Sequence, residues 1–381
     1  MKVLILSCIM GEGHNSAANA VLEYLQKNNI ECEVLDTLSL AGKNASKKAE
    51  NSYIFSTKIP VLFGTTYTLG KLVSSPKRKS PVYYNNRKYR DQLDSYIKEH
   101  GFDTIVATHL FPAEALTALK RENRLTAGTL AIITDYTCSP MWEETELDYY
   151  VIPHKELIDE FVKHGMPEPK LLPYGIPIKE AFYKKQPKLP ARQEAIDKFH
   201  LSLDTSKPWY LIMSGSMGFG KIGLLVNAIV NIKKYDIGVI IVCGNNQRLK
   251  TKLSFTFGNS SNVAVLGFVK EIPLLMDSCD VFFTKPGGLS STEGAIKHIP
   301  MVHTAPIPGN EINNSIFFSD HGMSYSSKVI RKQLKAARML CNDPAYRDYM
   351  IESQKETIEP DSCRLIYEAL CNMQPKEGDA V

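Results

Sequence analysis

Short apolar runs alternate with helix-spaced stretches along most of this chain. Val3-Leu4-Ile5-Leu6 is continuously apolar, which predicts a strand buried on both faces. A loop at 10–14 follows. Apolar positions three and four apart, at Ala17, Ala18, Val21, Leu22 and Leu25, predict a helix from about residue 15. Residues 31–36 (ECEVLD) predict a second strand, and strand–helix–strand order implies a parallel sheet. The alternation resumes with strands at 104–108, 130–135 and 149–153 and helices at 113–120 and 154–164. A second series opens with a strand at 209–213 and a helix at 222–232. Strands at 239–242 and 263–266 then alternate with helices around Lys250 and Leu274. It continues with a strand at 281–283, a helix from Leu289 and a strand at 300–303.

This pattern predicts an α/β protein of two Rossmann-like halves facing a central cleft. The first spans 1–183, and a linker (KKQPKLP) covers 184–190. The second spans 191–372, its last helix packing back on the first, and a polar tail follows at 373–381. Ligands bind such sheets at the carboxyl ends of the strands. Residues 37–96 break the alternation. They are rich in Tyr, Phe, Lys and Arg, and Pro76 and Pro81 interrupt them, which predicts helices and a mobile loop.

Composition narrows the function classes. Among 381 residues, 44% are hydrophobic and 23% charged, an ordinary globular balance. A net charge of +4 gives no global affinity for polyanions, so nucleic acid is not an expected partner. The eight cysteines show no C-x-x-C pair and no metal-ligand spacing, and read as buried free thiols in a reducing cytosol. No signal-peptide cleavage pattern follows the first apolar run, and no run approaches ~20 residues, so no membrane-spanning helix is expected.

Candidate chemistry concentrates at 280–314. A strand, the turn Lys285-Pro286-Gly287-Gly288 and a helix start through Leu289, Ser290 and Thr292 form a phosphate site. Glu293, one turn inside, is placed to accept both ribose hydroxyls of a nucleotide. The alternative is a capping box, Ser290-x-x-Glu293, in which the carboxylate only satisfies backbone N–H groups. Pro308-Gly309-Asn310-Glu311 reads as a loop placed for a sugar beyond the diphosphate. Gly215-x-x-x-x-Gly220-Lys221 nearly spells a P-loop, but Ile222 stands where a magnesium-binding Ser or Thr belongs. Gly215 and Ser216 are left as backbone donors to a diphosphate. No D-x-D pair is present, so no metal–diphosphate bridge is expected. In the first half, His14 follows the first strand and has the pKa of a general base. Asp135 orients or assists it, or caps its own loop, and His109 lies on the same edge.

These motifs resemble those of glycosyltransferase family 28 enzymes of GT-B fold, in the branch of bacterial diacylglycerol glucosyltransferases and plant monogalactosyldiacylglycerol synthases. The resemblance runs over nearly the whole chain. It is carried by Gly11-Glu12-Gly13-His14, Thr134-Asp135, Tyr149-Tyr150-Val151, Gly175-Ile176-Pro177, Val242-Cys243-Gly244-Asn245, Leu266-Gly267-Phe268-Val269, Lys285-Pro286-Gly287-Gly288, Glu293 and Pro308-Gly309-Asn310-Glu311. It implies an inverting transfer of glucose or galactose from a UDP-sugar to diacylglycerol, without cofactor or essential metal. Glu293 would hold the ribose and Gly287 to Thr292 the diphosphate. Phe268 and Val269 would place the uracil, Asn310 and Glu311 the sugar. His14 would be the base. Relatives often carry His shortly after Thr-Asp, where Ser139 stands here, and Gly-Gln-Glu where Gly309-Asn310-Glu311 stands. Both departures bear on sugar and acceptor preference.

The acceptor's place in a bilayer gives the segment around 80 a role. Lys77, Arg78, Lys79, Arg87, Lys88 and Arg90, interleaved with Tyr83, Tyr84 and Tyr89, form a candidate docking patch for an anionic membrane. The expected location is cytoplasmic, peripheral on the inner face of the cell membrane. The alternatives are N-acetylglucosamine enzymes of the same fold, a lipid-linked muropeptide transferase or a 2-epimerase, and a UDP-sugar-sensing peripheral protein.

Overall fold

The computed structural model describes residues 1–8, 12–42, 75–76, 78–213, 222–231 and 236–373. Their contacts divide into two units. The first comprises Met1–Glu180, Pro308–Asn310 and the chain from Glu359; the second comprises Ala181–Ile307 and Glu311–Ile358.

The first unit holds a six-stranded sheet: β1 Lys2–Ser7, β2 Glu31–Asp36, β3 Thr104–Ala107, β4 Gly128–Ile132, β5 Tyr149–Val151 and β6 Leu171–Leu172. Every pairing is parallel, in the order β2-β1-β3-β4-β5-β6. The order reverses direction between β1 and β3, so the crevice at their carboxyl ends is the switch point where this sheet type places ligands. The core joins Val3, Ile5, Val106, Leu130 and Ile132 to Ala18, Val21 and Leu25 of the helix Glu12–Lys27. Ile366 and Leu370 of the last helix, Ser362–Asn372, complete it.

The second unit holds β7 Trp209–Met213, β8 Gly238–Val242, β9 Val263–Leu266, β10 Val281–Thr284, β11 Met301–His303 and β12 Tyr325–Ser326. Their order, β12-β11-β10-β7-β8-β9, is all parallel and is the 3-2-1-4-5-6 arrangement of a dinucleotide-binding sheet. Here the switch point lies between β7 and β10. Strands β7 and β8 are wholly buried, as the unbroken apolar runs predicted.

Several boundaries differ from the sequence reading, and each matters for the site. The first helix starts at Glu12, not near 15, because the polar first turn is invisible to apolar periodicity. His14 is therefore a helical residue rather than a loop residue. β4 ends at Ile132, where its ladder with β5 ends, so Asp135 lies in the loop beyond the strand. Residues 310 and 311 open a helix, Asn310–Asp320, where a loop was expected; its asparagine-rich start has weak helix propensity. Lys188 to Pro190, expected in the linker, form the first turn of the helix Lys188–Phe199. In the segment 37–96, the described helices are Pro81–Asn86 and Arg90–His100, with short 3₁₀ turns at Thr37–Ala41 and Arg87–Tyr89. The mobile loop predicted within it falls on 43–74 and 77, outside the described residues.

Candidate functional site

The first-unit switch point brings His14 against the end of β3. His14 Nδ1 lies 2.7 Å from the Thr108 carbonyl oxygen. A carbonyl can only accept, so Nδ1 carries the hydrogen, and a neutral ring keeps its lone pair on Nε2. Thr108 is fixed by its own N–H, which donates to the Leu6 carbonyl at 2.9 Å. Thr134 Oγ1 stands 3.2 Å from the same Nδ1, a second acceptor on that side. Sequence reasoning missed both threonines. Thr134 stood in the motif beside Asp135, but nothing in its spacing pointed to His14.

Burial lowers the His14 pKa below the usual imidazole value, while the Asp135 charge and the Thr108 carbonyl pull it upward. The ring is thus neutral near pH 7 and sits by a carboxylate that favours its protonated form. His109 packs edge-on against it, ring centroids 4.6 Å apart. His109 Nδ1 accepts from the Phe111 N–H at 3.1 Å and caps the helix Leu110–Arg121. Burial, then the neighbouring His14, holds His109 well below its ordinary pKa. Its described role is to cap a helix and wall the base. Asn310, which groups with this unit, donates from Nδ2 to Asp135 Oδ2 at 2.7 Å. His14, Asp135, His109 and Asn310 are therefore interlinked.

The second-unit switch point carries the turn after β10. Gly287 is the N-cap of the helix Gly288–Ile296 and makes no side-chain cap. Helix geometry leaves the N–H groups of Gly288, Leu289 and Ser290 pointing out of this end, where the dipole is positive. A Cβ built on Gly287 would meet nothing within 4 Å, so the turn has open space beside it. Gly294 does the opposite. A Cβ there would come 2.6 Å from Met301 Sδ and 3.1 Å from Phe282 Cδ1, so the helix lies flush on β10 and β11. That close approach aims its N-terminus.

The capping-box alternative fails on this geometry. Ser290 is the third helical residue rather than the cap, so Glu293 is a full turn too far along. Ser290 and Glu293 are both half-buried, three residues apart on one face. Thr292 points elsewhere: it is buried, and its Oγ1 donates to the Gly288 carbonyl at 2.7 Å. Glu311 pairs with Lys285, and its Oε2 accepts from the Ile307 N–H at 2.8 Å. Those two contacts make Glu311, expected on the sugar, a brace for the turn as well. Asn314, missed by sequence reasoning, donates to the Pro286 carbonyl at 3.1 Å and holds the same turn. In the loop after β9, the Phe268 ring is 58% exposed and Val269 half-buried. Gly215 and Ser216 lie outside the described residues.

The structure splits the basic–aromatic set. Glu122 binds Arg90 Nε through both oxygens at 3.0 Å and Arg87 Nη2 at 3.0 Å. Lys79 Nζ donates to the Glu144 carbonyl at 2.5 Å and lies over the Tyr83 ring. Burial, then the Arg121 charge, lowers the Lys79 pKa. Tyr83 and Tyr89 are 5% and 3% exposed. The six-cation, three-tyrosine patch is corrected accordingly: Lys79, Arg87 and Arg90 are paired within the fold, Arg87 with its side chain still 43% exposed, and Tyr83 and Tyr89 are core. Arg78, Lys88 and Tyr84 are exposed, Tyr84 at 55%, and Lys77 lies outside the described residues. Among the described residues, no helix is long and apolar enough to cross a membrane.

Comparison with known proteins bears on each of these sites. Residues 14–178 match the family model described as monogalactosyldiacylglycerol (MGDG) synthase. A processive diacylglycerol beta-glucosyltransferase of Staphylococcus saprophyticus is 27% identical over 380 residues, covering 98% of this chain and 93% of that protein. The protein of the same name from Staphylococcus aureus (strain MRSA252) is 26% identical over 378 residues, covering 97% and 91%. Among solved structures, Acinetobacter baumannii MurG gives a TM-score of 0.61 at 14% identity, over 98% of this chain and 100% of that one. A UDP co-structure of S. aureus MnaA gives 0.64 at 13%, over 98% and 99%. Anabaena HepE in complex with UDP-glucose gives 0.59 at 13%, over 98% and 100%. These likenesses establish the GT-B fold of two Rossmann-like domains. With that fold, the chain is similar along nearly its whole length to processive diacylglycerol beta-glucosyltransferases, and over 14–178 to the monogalactosyldiacylglycerol synthase family.

Proposed function

We propose that this protein is an inverting transferase moving a hexose from a UDP-sugar to the hydroxyl of diacylglycerol, giving a β-glycosyl-diacylglycerol. The observation that carries the mechanism is the Nδ1 contact of His14 with the Thr108 carbonyl, which leaves Nε2 as the basic nitrogen. Nε2 takes the acceptor hydroxyl proton as that oxygen bonds to the anomeric carbon and the bond to UDP breaks. Asp135 stabilises the imidazolium that forms. The departing diphosphate is met by the N–H groups at the start of the helix Gly288–Ile296 and by its dipole, with no essential metal. Glu293 accepts from the ribose, and Phe268 lies against the uracil with the Val269 backbone reading its edge. Gly215 and Ser216 add donors to the diphosphate.

Glucose is the first reading for the sugar, because the relatives matched over the full chain are named glucosyltransferases. Galactose is the second, favoured by the family match over 14–178. The N-acetylglucosamine readings have only fold-level likeness behind them. Docking on the anionic inner face of the cell membrane is assigned to Arg78, Lys88 and Tyr84, with Lys77. His14→Ala tests the mechanism. Turnover should fall by about 10²–10⁴-fold, while UDP affinity by calorimetry stays unchanged. Near-normal turnover would move the base role to Asp135 or another group.

A further inference from the structure

We propose that Cys138, Glu143 and His164 form a binding site for a thiophilic divalent cation, Zn²⁺ by donor chemistry, distinct from the transfer site. The Cys138 sulfur, a Glu143 carboxylate oxygen and a His164 ring nitrogen all lie within 4.8 Å of one another. Cys138 is 1% exposed and Glu143 8%, whereas His164 is half-buried. Cys138 and Glu143 share one loop, but His164 lies 21 residues further on, so no ligand spacing showed in the sequence.

The fold assembles them through a lock that needs no metal. Glu160, on the helix Ile158–Lys163, accepts from Thr137 Oγ1 at 2.6 Å and from the Cys138 N–H at 2.9 Å through one oxygen. His164 caps that helix one turn later, its N–H donating to the Glu160 carbonyl at 3.1 Å. Residues four apart share a helix face, so the face that binds the Cys138 backbone also presents the imidazole to the Cys138 sulfur. Glu143 arrives on the 3₁₀ turn Trp142–Glu144, which Met141 enters with φ +80°, a backbone that side chains rarely adopt. The next residue anchors that turn: Glu144 Oε2 accepts from the Ser80 N–H at 2.6 Å and Oε1 from Ser80 Oγ at 2.5 Å.

The donor set selects the ion. Thiolate, imidazole and carboxylate together suit zinc and disfavour magnesium and calcium, which take oxygen ligands. Bonds of about 2.3 Å to sulfur and about 2.0–2.1 Å to nitrogen put tetrahedral ligand atoms about 3.5 Å apart. Side-chain rotation closes the remaining gap. Binding releases one proton, from the Cys138 thiol. Thiolate and carboxylate then balance the dication, the half-buried His164 side is the way in, and water takes the fourth position. The consequence is mechanical. The cation ties the loop carrying Asp135, three residues before Cys138, to the helix Ile158–Lys163. It braces the site and takes no part in transfer.

The test uses the full chain, stripped with a chelator and titrated first with Zn²⁺, then with Co²⁺ as a coloured stand-in. Expected are about one equivalent of tight binding and tetrahedral Co²⁺ absorption with a thiolate charge-transfer band. Cys138→Ser abolishes that band, and His164→Gln weakens Zn²⁺ binding at least tenfold while retaining UDP binding. If Cys138→Ser does not fold, X-ray absorption at the zinc edge of the loaded wild type decides, because the ion should show one sulfur neighbour at about 2.3 Å. The proposal is overturned if the wild type binds no stoichiometric Zn²⁺, if the band survives Cys138→Ser, if His164→Gln binds as wild type, or if the bound zinc shows no sulfur neighbour.

Discussion

Asp135→Asn removes one negative charge beside His14 and keeps the shape of the side chain and an oxygen for Asn310. The base works as neutral imidazole, and burial already holds its pKa below about 6.5. In the wild type, kcat/KM should therefore be full above an acid limb lying below about pH 6.5, and fall about tenfold per pH unit beneath it. The Asp135 charge raises the His14 pKa, so its loss moves that limb further down. The same charge stabilises the imidazolium formed during transfer, and losing an electrostatic contribution of about 1.4 kcal/mol from that state would lower the plateau rate by about tenfold. The assay is the initial rate of glycolipid formation from labelled UDP-hexose on diacylglycerol vesicles, across about pH 5 to 9. UDP affinity, measured alongside, should not change. A limb that stays in place or moves upward in Asp135→Asn would refute the coupling, and a wild-type limb above pH 6.5 would refute the burial argument.

Glu293→Ala should weaken UDP binding at least tenfold, since hydrogen bonds to a charged group contribute about 1.5–3 kcal/mol each; unchanged affinity in calorimetry would remove Glu293 from the ribose. Turnover should not depend on added magnesium, because backbone donors and a helix dipole meet the diphosphate; a strict magnesium requirement would move that role to a metal. Arg78→Ala with Lys88→Ala should lower binding to anionic vesicles by about 2 kcal/mol, roughly 30-fold, and salt should mimic the effect. Arg90→Ala should instead lower the thermal midpoint by breaking the three-centre bond of its Nε–H with both Glu122 oxygens, with vesicle binding of the folded protein kept. The reverse pattern would return Arg90 to the membrane face.

The two parallel sheets were legible because their central strands are buried on both faces and leave unbroken apolar runs, as at 209–213 and 239–242. The carboxyl-end placement of His14 and of the 285–288 turn followed from strand–helix alternation alone. Side-chain commitment was not legible. Arg90 and Lys88 look alike in a row of cations, yet one is clamped by Glu122 and the other is exposed, because only the fold brings the helix end at Glu122 to one of them. Tyr83 and Tyr84 are neighbours with opposite burial, since adjacent helical positions face about 100° apart. His14 was read as a loop residue because helix starts are polar. Its tautomer was out of reach, since that rests on a backbone carbonyl distant in sequence.

The central claim is tested most directly by identifying the lipid that the protein makes. The purified chain is incubated with diacylglycerol vesicles and with UDP-glucose, UDP-galactose or UDP-N-acetylglucosamine in separate reactions. Lipids are then resolved by mass spectrometry and the anomeric configuration read by NMR. The account predicts a β-hexosyl-diacylglycerol, formed from UDP-glucose or UDP-galactose and absent with His14→Ala. An α-linked product, transfer from UDP-N-acetylglucosamine alone, or release of free sugar with no glycolipid would contradict it.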